Sequence, residues 1–303
     1  MAWFQNVGII AKQHDDARVA TTVARVVSLL SARGVRTYVE QNTAALLQRS
    51  DGSNIDGISI DAISIDAIGE RCDLVLVVGG DGTFLHAARM LSEHDVALVG
   101  INLGRLGFLV DILPDEIEPR LEQILSGAYD ADTRILLDAR IGDQAKPERA
   151  LNDVVIHKWN SVRMIEFETY LDGQFVNAQR SDGLIVATPT GSTAYALSGG
   201  GPLLNPRLDS LLLVPICPHT LSNRPLVVPG SSRIEIRICN LEPEQVRLTC
   251  DGQVDLPLES DSSIQIERSR RRVRLLHPQD HNHYRILRAK LGWGGHTHSD
   301  NPC

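Results

Sequence analysis

The chain has 303 residues, 43 % hydrophobic and 22 % charged, which is enough apolar material for a sizeable core and, by preference, two domains. A formal net charge of −8, with one basic run at 268–274 beside Glu267, argues against a nucleic-acid partner. No apolar run reaches the ~18 residues of a membrane span, the first residues lack a signal-peptide pattern, and five cysteines without Cys-x-x-Cys spacing argue against a disulfide framework or zinc site. Together these features are expected of a cytoplasmic protein with no membrane partner.

Residues 7–10 read as a first strand, with Asp15 and Asp16 as cap candidates for a helix running to Ala32. Val19, Val23, Val26, Val27 and Leu30 recur at helical spacing, and Gly34 supplies a stop. Residues 35–39 read as a second strand. Another strand at 74–78, a helix over 83–91 and a strand at 97–101 complete the alternation of a parallel α/β domain. Aromatics are only 4 %, so Val, Leu, Ile and Ala must fill the core, as suits a buried parallel sheet.

Residues 55–69 hold three near-copies, Ile-Asp-Gly-Ile-Ser, Ile-Asp-Ala-Ile-Ser and Ile-Asp-Ala-Ile-Gly. A five-residue period fits neither a strand nor a straight amphipathic helix, and three copies are too short for a solenoid. The segment is expected to be a surface connection with no catalytic role.

The most informative motif is Gly79-Gly80-Asp81-Gly82-Thr83, directly after the strand at 74–78. Glycines let a backbone approach a ligand, and the carboxyl end of a parallel strand is where open α/β sheets bind ligands. A carboxylate there is a kinase-like arrangement. The alternative is a tight turn with Asp81 capping the following helix.

From Thr133 onward, after a helical stretch at 114–125, the texture changes to short β-branched segments at 151–156, 164–171, 183–188, 211–215, 234–238 and 246–249. Asp172-Gly173 is a hairpin signal, and prolines 215, 218, 225 and 229 mark edges or irregular loops. The expected organisation is an α/β domain with a parallel sheet over 1–130, an all-β-rich, β-sandwich-like domain over 131–293, and a disordered tail over 294–303.

Further glycine- and hydroxyl-rich turns follow. The loop 102–109 is expected to turn Leu106 and Phe108 inward. The run 182–195 ends a strand at Thr188 and leads through Pro189, Gly191, Ser192 and Thr193 toward a short helix, where exposed amides can receive phosphate or ribose oxygens. Gly199-Gly200-Gly201 lets the backbone approach either a ligand or another strand.

In order, the Gly79–Thr83 motif, residues 102–109, Asn152-Asp153, residues 182–202 and 215–226, Asp251-Gly252-Gln253 and Lys290-Leu291-Gly292-Trp293 resemble the NAD kinase family over roughly residues 5–293. The resemblance implies NAD bound between the two domains and transfer of the ATP γ-phosphoryl group to the 2′-hydroxyl of the adenosine ribose, making NADP with a divalent metal cation, Mg²⁺ or Mn²⁺. By position, Asp81 would be the general base, and Asp81 and Gly82 would touch NAD. Asn152 and Asp153 would hold ribose hydroxyls, Asp153 standing where the family more often carries Glu. Arg163, Arg180 and Asp182 would line the dinucleotide site. Thr193, Ala194, Tyr195, Ala196, Leu197 and Ser198 would hold the adenosine part, with Gln253 nearby. No metal ligand is assigned, and a homodimer or homotetramer is implied.

Related Gly-Gly-Asp-Gly turns occur in lipid kinases of the diacylglycerol or sphingosine type and in phosphofructokinases. Asn152-Asp153 and residues 188–195 favour a dinucleotide acceptor instead. A non-catalytic nucleotide sensor is the alternative outside enzymes, and the presence of Asp81 speaks against it.

Overall fold

The computed structural model describes residues 3–13, 16–49, 61–104, 106–160, 162–239, 246–258 and 262–293. Two compact units emerge: Met1–Asp132 together with Arg274–Cys303, and Thr133–Val273.

The first unit begins β1 (Asn6–Ala11), α1 (Ala17–Ala32), β2 (Arg36–Glu40), α2 (Gln41–Arg49), β3 (Asp61–Ile63) and α3 (Ile65–Arg71). It continues β4 (Leu74–Gly79), α4 (Asp81–Met90), β5 (Ala97–Asn102) and α5 (Ile117–Leu125). The strands form a parallel sheet in the order β5-β4-β1-β2-β3. Every residue of β4 and β5 is buried, which is why both read as unbroken apolar runs. Of the two cap candidates for α1, Asp16 accepts from the Arg18 amide, while Asp15 lies outside the described residues. Gly34 takes the left-handed conformation, φ 66°, just past the helix.

The repeat departs from its expected role as a surface connection. Residues 55–60 are outside the described part, but the next copy supplies the edge strand β3 and the last copy forms α3, with the Ser64 hydroxyl capping the Ala67 amide. Ile65 and Ile68, three apart, share a helix face, and Ile68 is fully buried against Gly8, where a Cβ would collide with its Cγ2. The last copy is thus core-forming. Ile68→Ala is expected to cost about 2–3 kcal/mol; a melting temperature equal to that of the parent would refute the buried role.

The second unit carries β6 (Tyr129–Ile141, entering from the first), β7 (Glu148–Ala150), β8 (Asp153–Lys158), β9 (Ile165–Leu171), β10 (Gln174–Ser181), β11 (Gly183–Ala187) and the short helix α6 (Tyr195–Ser198). Then come β12 (Ser210–Ile216), β13 (Leu226–Pro229), β14 (Ile234–Cys239), β15 (Val246–Cys250), β16 (Val254–Pro257) and the long β17 (Ser263–Pro278), after which the chain continues into α7 (His283–Leu291) of the first unit. One antiparallel sheet runs β13-β12-β11-β8-β15-β16; the other joins β10, β9, β14 and the first part of β17. Val154 and Ile156 of β8 share a core with Phe167 of β9 and Ile236 of β14, as facing sheets of a sandwich do. The β9–β10 hairpin turns at Asp172 (φ 51°) and Gly173 (φ 79°), the positive pair a two-residue turn demands.

The chain end departs from the expected boundary. Residues 274–293, expected in the second domain, cluster with the first, because Arg274 and Leu275 pair in parallel with Ala97 and Leu98 of β5 and α7 follows there. The tail from 294 lies outside the described residues. No described helix is long and apolar enough to cross a membrane.

Candidate functional site

In the first unit, β4 ends at Gly79, Gly80 caps α4 in extended conformation, and Asp81 is the first helical residue. Asp81 does not cap the helix. Its carboxylate instead accepts hydrogen bonds from the backbone amides of Phe108 and Leu109, both at 3.0 Å. Gly107 is glycine for a steric reason, since a Cβ there would overlap the Asp81 carboxylate. The loop after β5 is pinned further by Asn102, whose amide donates to the Ile112 carbonyl at 2.8 Å and whose Oδ1 accepts from Gly104 N at 2.6 Å. The side chains turned inward are Leu109 and Val110 rather than the expected Leu106 and Phe108, because the Asp81 bonds fix the direction of this turn. Two amides orient the carboxylate and leave lone pairs open to a further donor such as a hydroxyl. Gly82 follows, exposed.

In the second unit a cavity of about 400 Å³ is lined by Asn152, Asp153, Val155, His157, Ala194, Tyr195, Thr249, Asp251 and Gly252. Asp251 is its keystone. Held at φ 53° in the β15–β16 turn, its carboxylate accepts from the amides of Leu151 (3.0 Å), Asn152 (2.8 Å) and Asp153 (3.2 Å). Its own amide returns a bond to the Asp153 carbonyl at 2.9 Å. Thr188 fastens the other side, its hydroxyl donating to the Leu151 carbonyl at 2.6 Å and its amide to the Asn152 carbonyl at 2.8 Å. Gly191 presses so closely on Asn152 that a Cβ would overlap the carbonyl oxygen.

Asp153 is 4 % exposed, and burial first, then the neighbouring Asp251 charge, push its carboxyl up to about 7 against a hydrogen bond from the Tyr195 amide. The folded state therefore binds this proton more tightly than the unfolded chain, whose value is 3.8. The associated stability is fully present below pH 3.8 and is lost as pH rises through about 7. Asp153→Asn should flatten that slope, so that its melting temperature relative to the parent rises between pH 5 and pH 8; an unchanged difference would refute the shifted acid. Near neutrality Asp153 is available both as donor and as acceptor to a bound hydroxyl.

Of the residues expected at the site, the structure brings Asn152, Asp153, Ala194 and Tyr195 around this cavity. Thr193 sits beside them, but its hydroxyl donates to the Thr190 carbonyl, and Ser192 bonds the Pro189 carbonyl and Leu204 amide. These hydroxyls hold the turn together, and the Ala196 side chain enters the core beside Ile185 and Val214. Leu197 and Ser198 complete α6 without lining the cavity, and Gly199 and Gly201 pack on β12. Asp182 pairs with Lys158 at 2.7 Å. Arg163, Arg180 and Gln253 are exposed. Sequence reasoning gives no site role to Val155, His157, Thr249, Asp251 or Gly252, although Asp251-Gly252 stands among the residues that carry the resemblance and its Asp-Gly turn is a local signal.

Among the described residues one group has the composition of a metal site: Asp111, His277 and His281 in the first unit. Nδ1 of His277 lies 2.9 Å and Nδ1 of His281 2.7 Å from Asp111 Oδ2. Those are hydrogen-bond separations; donors sharing an ion at ~2.0 Å stand roughly 3.3 Å apart in a tetrahedron. The imidazoles stack at 3.9 Å, 22° from parallel. Burial alone would raise the Asp111 carboxyl, yet the bonds from both histidines outweigh it and hold it below the ordinary carboxylate range.

Two family profiles match the chain, the ATP-NAD kinase N-terminal domain over residues 7–129 and the ATP-NAD kinase C-terminal domain over residues 151–278. It is 46 % identical over 294 residues to the NAD kinase of Nitrosococcus oceani, covering 96 % of this chain and 97 % of that protein. To the NAD kinase of Halorhodospira halophila it is 48 % identical over 298 residues, covering 96 % and 94 %. Among solved structures, yeast NADH kinase complexed with NADH aligns with a TM-score of 0.85 at 27 % identity, covering 97 % of this chain and 89 % of that one. An NAD kinase from Archaeoglobus fulgidus in complex with ATP aligns with a TM-score of 0.74 at 25 % identity, covering 95 % and 98 %.

Proposed function

The chain belongs to the NAD kinase family, and on that premise we propose that it transfers the γ-phosphoryl group of ATP to the 2′-hydroxyl of the adenosine ribose of NAD, yielding NADP and ADP. The observation that carries this reading is the cavity of the second unit, floored by Asn152 and a protonatable Asp153. Polar groups able both to donate and to accept suit ribose hydroxyls, whereas a lipid acceptor calls for an apolar lining.

Asp81 serves as general base. The ribose oxygen forms a bond to the γ-phosphorus, the bond from that phosphorus to the β–γ bridging oxygen breaks, and the hydroxyl proton passes to the Asp81 carboxylate. In a loose transition state the proton leaves late, after most of the phosphoryl transfer has taken place. The amides of Phe108 and Leu109 fix the direction from which it accepts. Asn152 and Asp153 hold ribose hydroxyls, and the backbone of Ala194 and Tyr195, with Thr193 and residues 196–198 behind it, supports the adenosine part. Gly82, Arg163, Arg180, Asp182 and Gln253 complete the dinucleotide contacts.

A divalent cation, Mg²⁺ or Mn²⁺, accompanies the nucleotide. Such ions take oxygen ligands, chiefly phosphate and water, with one or two carboxylates. Asp81, with lone pairs left over, fits that donor set, and the nitrogen-rich Asp111–His277–His281 group does not. When bound, the ion neutralises charge on the phosphates. We further propose a homodimer or homotetramer working in the cytoplasm.

The test is a coupled assay with purified protein, ATP, Mg²⁺ and NAD, reading out NADP. NAD is expected to be phosphorylated while diacylglycerol, sphingosine and fructose 6-phosphate are not. Any of those three turned over at a rate rivalling NAD would overturn the proposal.

A further inference from the structure

The catalytic reading uses Asp81 and leaves unexplained why two histidines from the end of the chain converge on one buried carboxylate. Asp111 lies two residues beyond Leu109, whose amide binds Asp81, and Gly107 N donates to the Val110 carbonyl at 3.1 Å, closing the turn between them. The Asp111 side chain is 9 % exposed and that of His277 3 %. Nδ1 of both imidazoles reaches the same oxygen, and the stacked rings leave neither free to turn without disturbing the other. The segment that supplies these histidines is itself anchored. Arg120 of α5 pairs with Asp280 at 2.8 Å, and Lys290 of α7 lies 5.6 Å from the Phe108 ring centroid. Every one of these contacts is within the first unit.

We infer that Asp111, His277 and His281 are positioning residues for the phosphoryl transfer, a latch by which the end of β17 fixes the 107–111 turn and hence the two amides that aim the Asp81 carboxylate. The inference rests on the reading of Asp81 as base. A carboxylate aimed by backbone amides is only as well placed as the loop carrying them, and misplacement by a fraction of an ångström lowers turnover without removing any group that touches substrate. Among the described residues, Oδ1 of Asp111 and Nε2 of His277 are buried and meet no hydrogen-bond partner, so the arrangement carries a desolvation cost that simple packing would avoid.

His281→Leu removes one donor while keeping bulk, and His281→Asn restores an N–H near the same place. For the Leu variant kcat is expected to fall by on the order of tenfold, with KM for NAD little changed, and amide exchange at Phe108 and Leu109 to quicken by a similar factor. The Asn variant should recover part of both. A merely structural role predicts a lower melting temperature with kcat and the exchange of those two amides unaltered when measured well below the transition, and that result would overturn the latch. Asp111→Asn, keeping an acceptor for one imidazole, gives a second variant should the Leu protein fail to fold, read by the same exchange and kinetics. Should Asp81→Asn prove fully active while the His281 variants still quicken exchange at residues 108 and 109, the base assignment falls and the mechanical link stands. Unchanged exchange in folded variants rejects the link regardless of Asp81.

Discussion

Asp81→Asn is expected to lower kcat for NAD phosphorylation by on the order of 10² to 10⁴, with KM for NAD changing far less. A base contributes mainly in the transition state, so its removal appears in kcat. The local geometry adds a structural effect. Both carboxylate oxygens accept a backbone amide, from Phe108 and Leu109, and an Asn side chain offers one oxygen and one NH₂. One amide would then face another donor, destabilising the fold by about 1–3 kcal/mol. Kinetics taken well below both melting transitions separate the two effects: loss of turnover beyond what unfolding explains supports the base. If the Asn protein is less stable yet fully active, Asp81 is a loop clamp only.

Asp251→Ala is expected to be the most destabilising single change in the second unit. It removes a charged acceptor from three amides and places alanine at φ 53°. Hydrogen bonds to a charge contribute roughly 1.5–3 kcal/mol each but are not additive within one group, so a total of about 3–5 kcal/mol is expected, including about 1 kcal/mol of left-handed backbone strain. Because the same amides shape the cavity floor at Asn152 and Asp153, KM for NAD should rise well before the protein unfolds. Asp251→Asn keeps tolerance of positive φ and one acceptor oxygen, and should retain more stability. In either variant the loss of the Asp251 charge lets the Asp153 carboxyl titrate lower, observable by carboxyl NMR. Unaltered Asp153 titration and an unaltered KM in a folded Ala variant would dismiss Asp251 as the keystone.

The strands β4 and β5 and the stripe of α1 were legible because burial on two faces, or on one helical face, writes itself into local spacing. The Asp172-Gly173 hairpin was legible because few residues tolerate two consecutive positive φ angles. The repeat was misread for the complementary reason. Its five-residue period hides the one position, Ile68, that the sheet selects for burial, with Ile65 half-buried beside it. Likewise the hydroxyls of Thr188, Ser192 and Thr193 look like ligand groups in the sequence, yet each is committed to a backbone carbonyl once the turn closes.

By itself the sequence determined the strand–helix alternation, the change to short β segments near residue 133, and the glycine turn carrying Asp81, since all three follow from local periodicity and backbone freedom. Only the tertiary structure decided what each polar group faces. Asp251 meets amides about a hundred residues away, Asp111 meets imidazoles more than 160 residues away, and the chain end returns to pair with β5. Such contacts are set by topology and by the need to satisfy buried polar groups, and neither leaves a period in the chain.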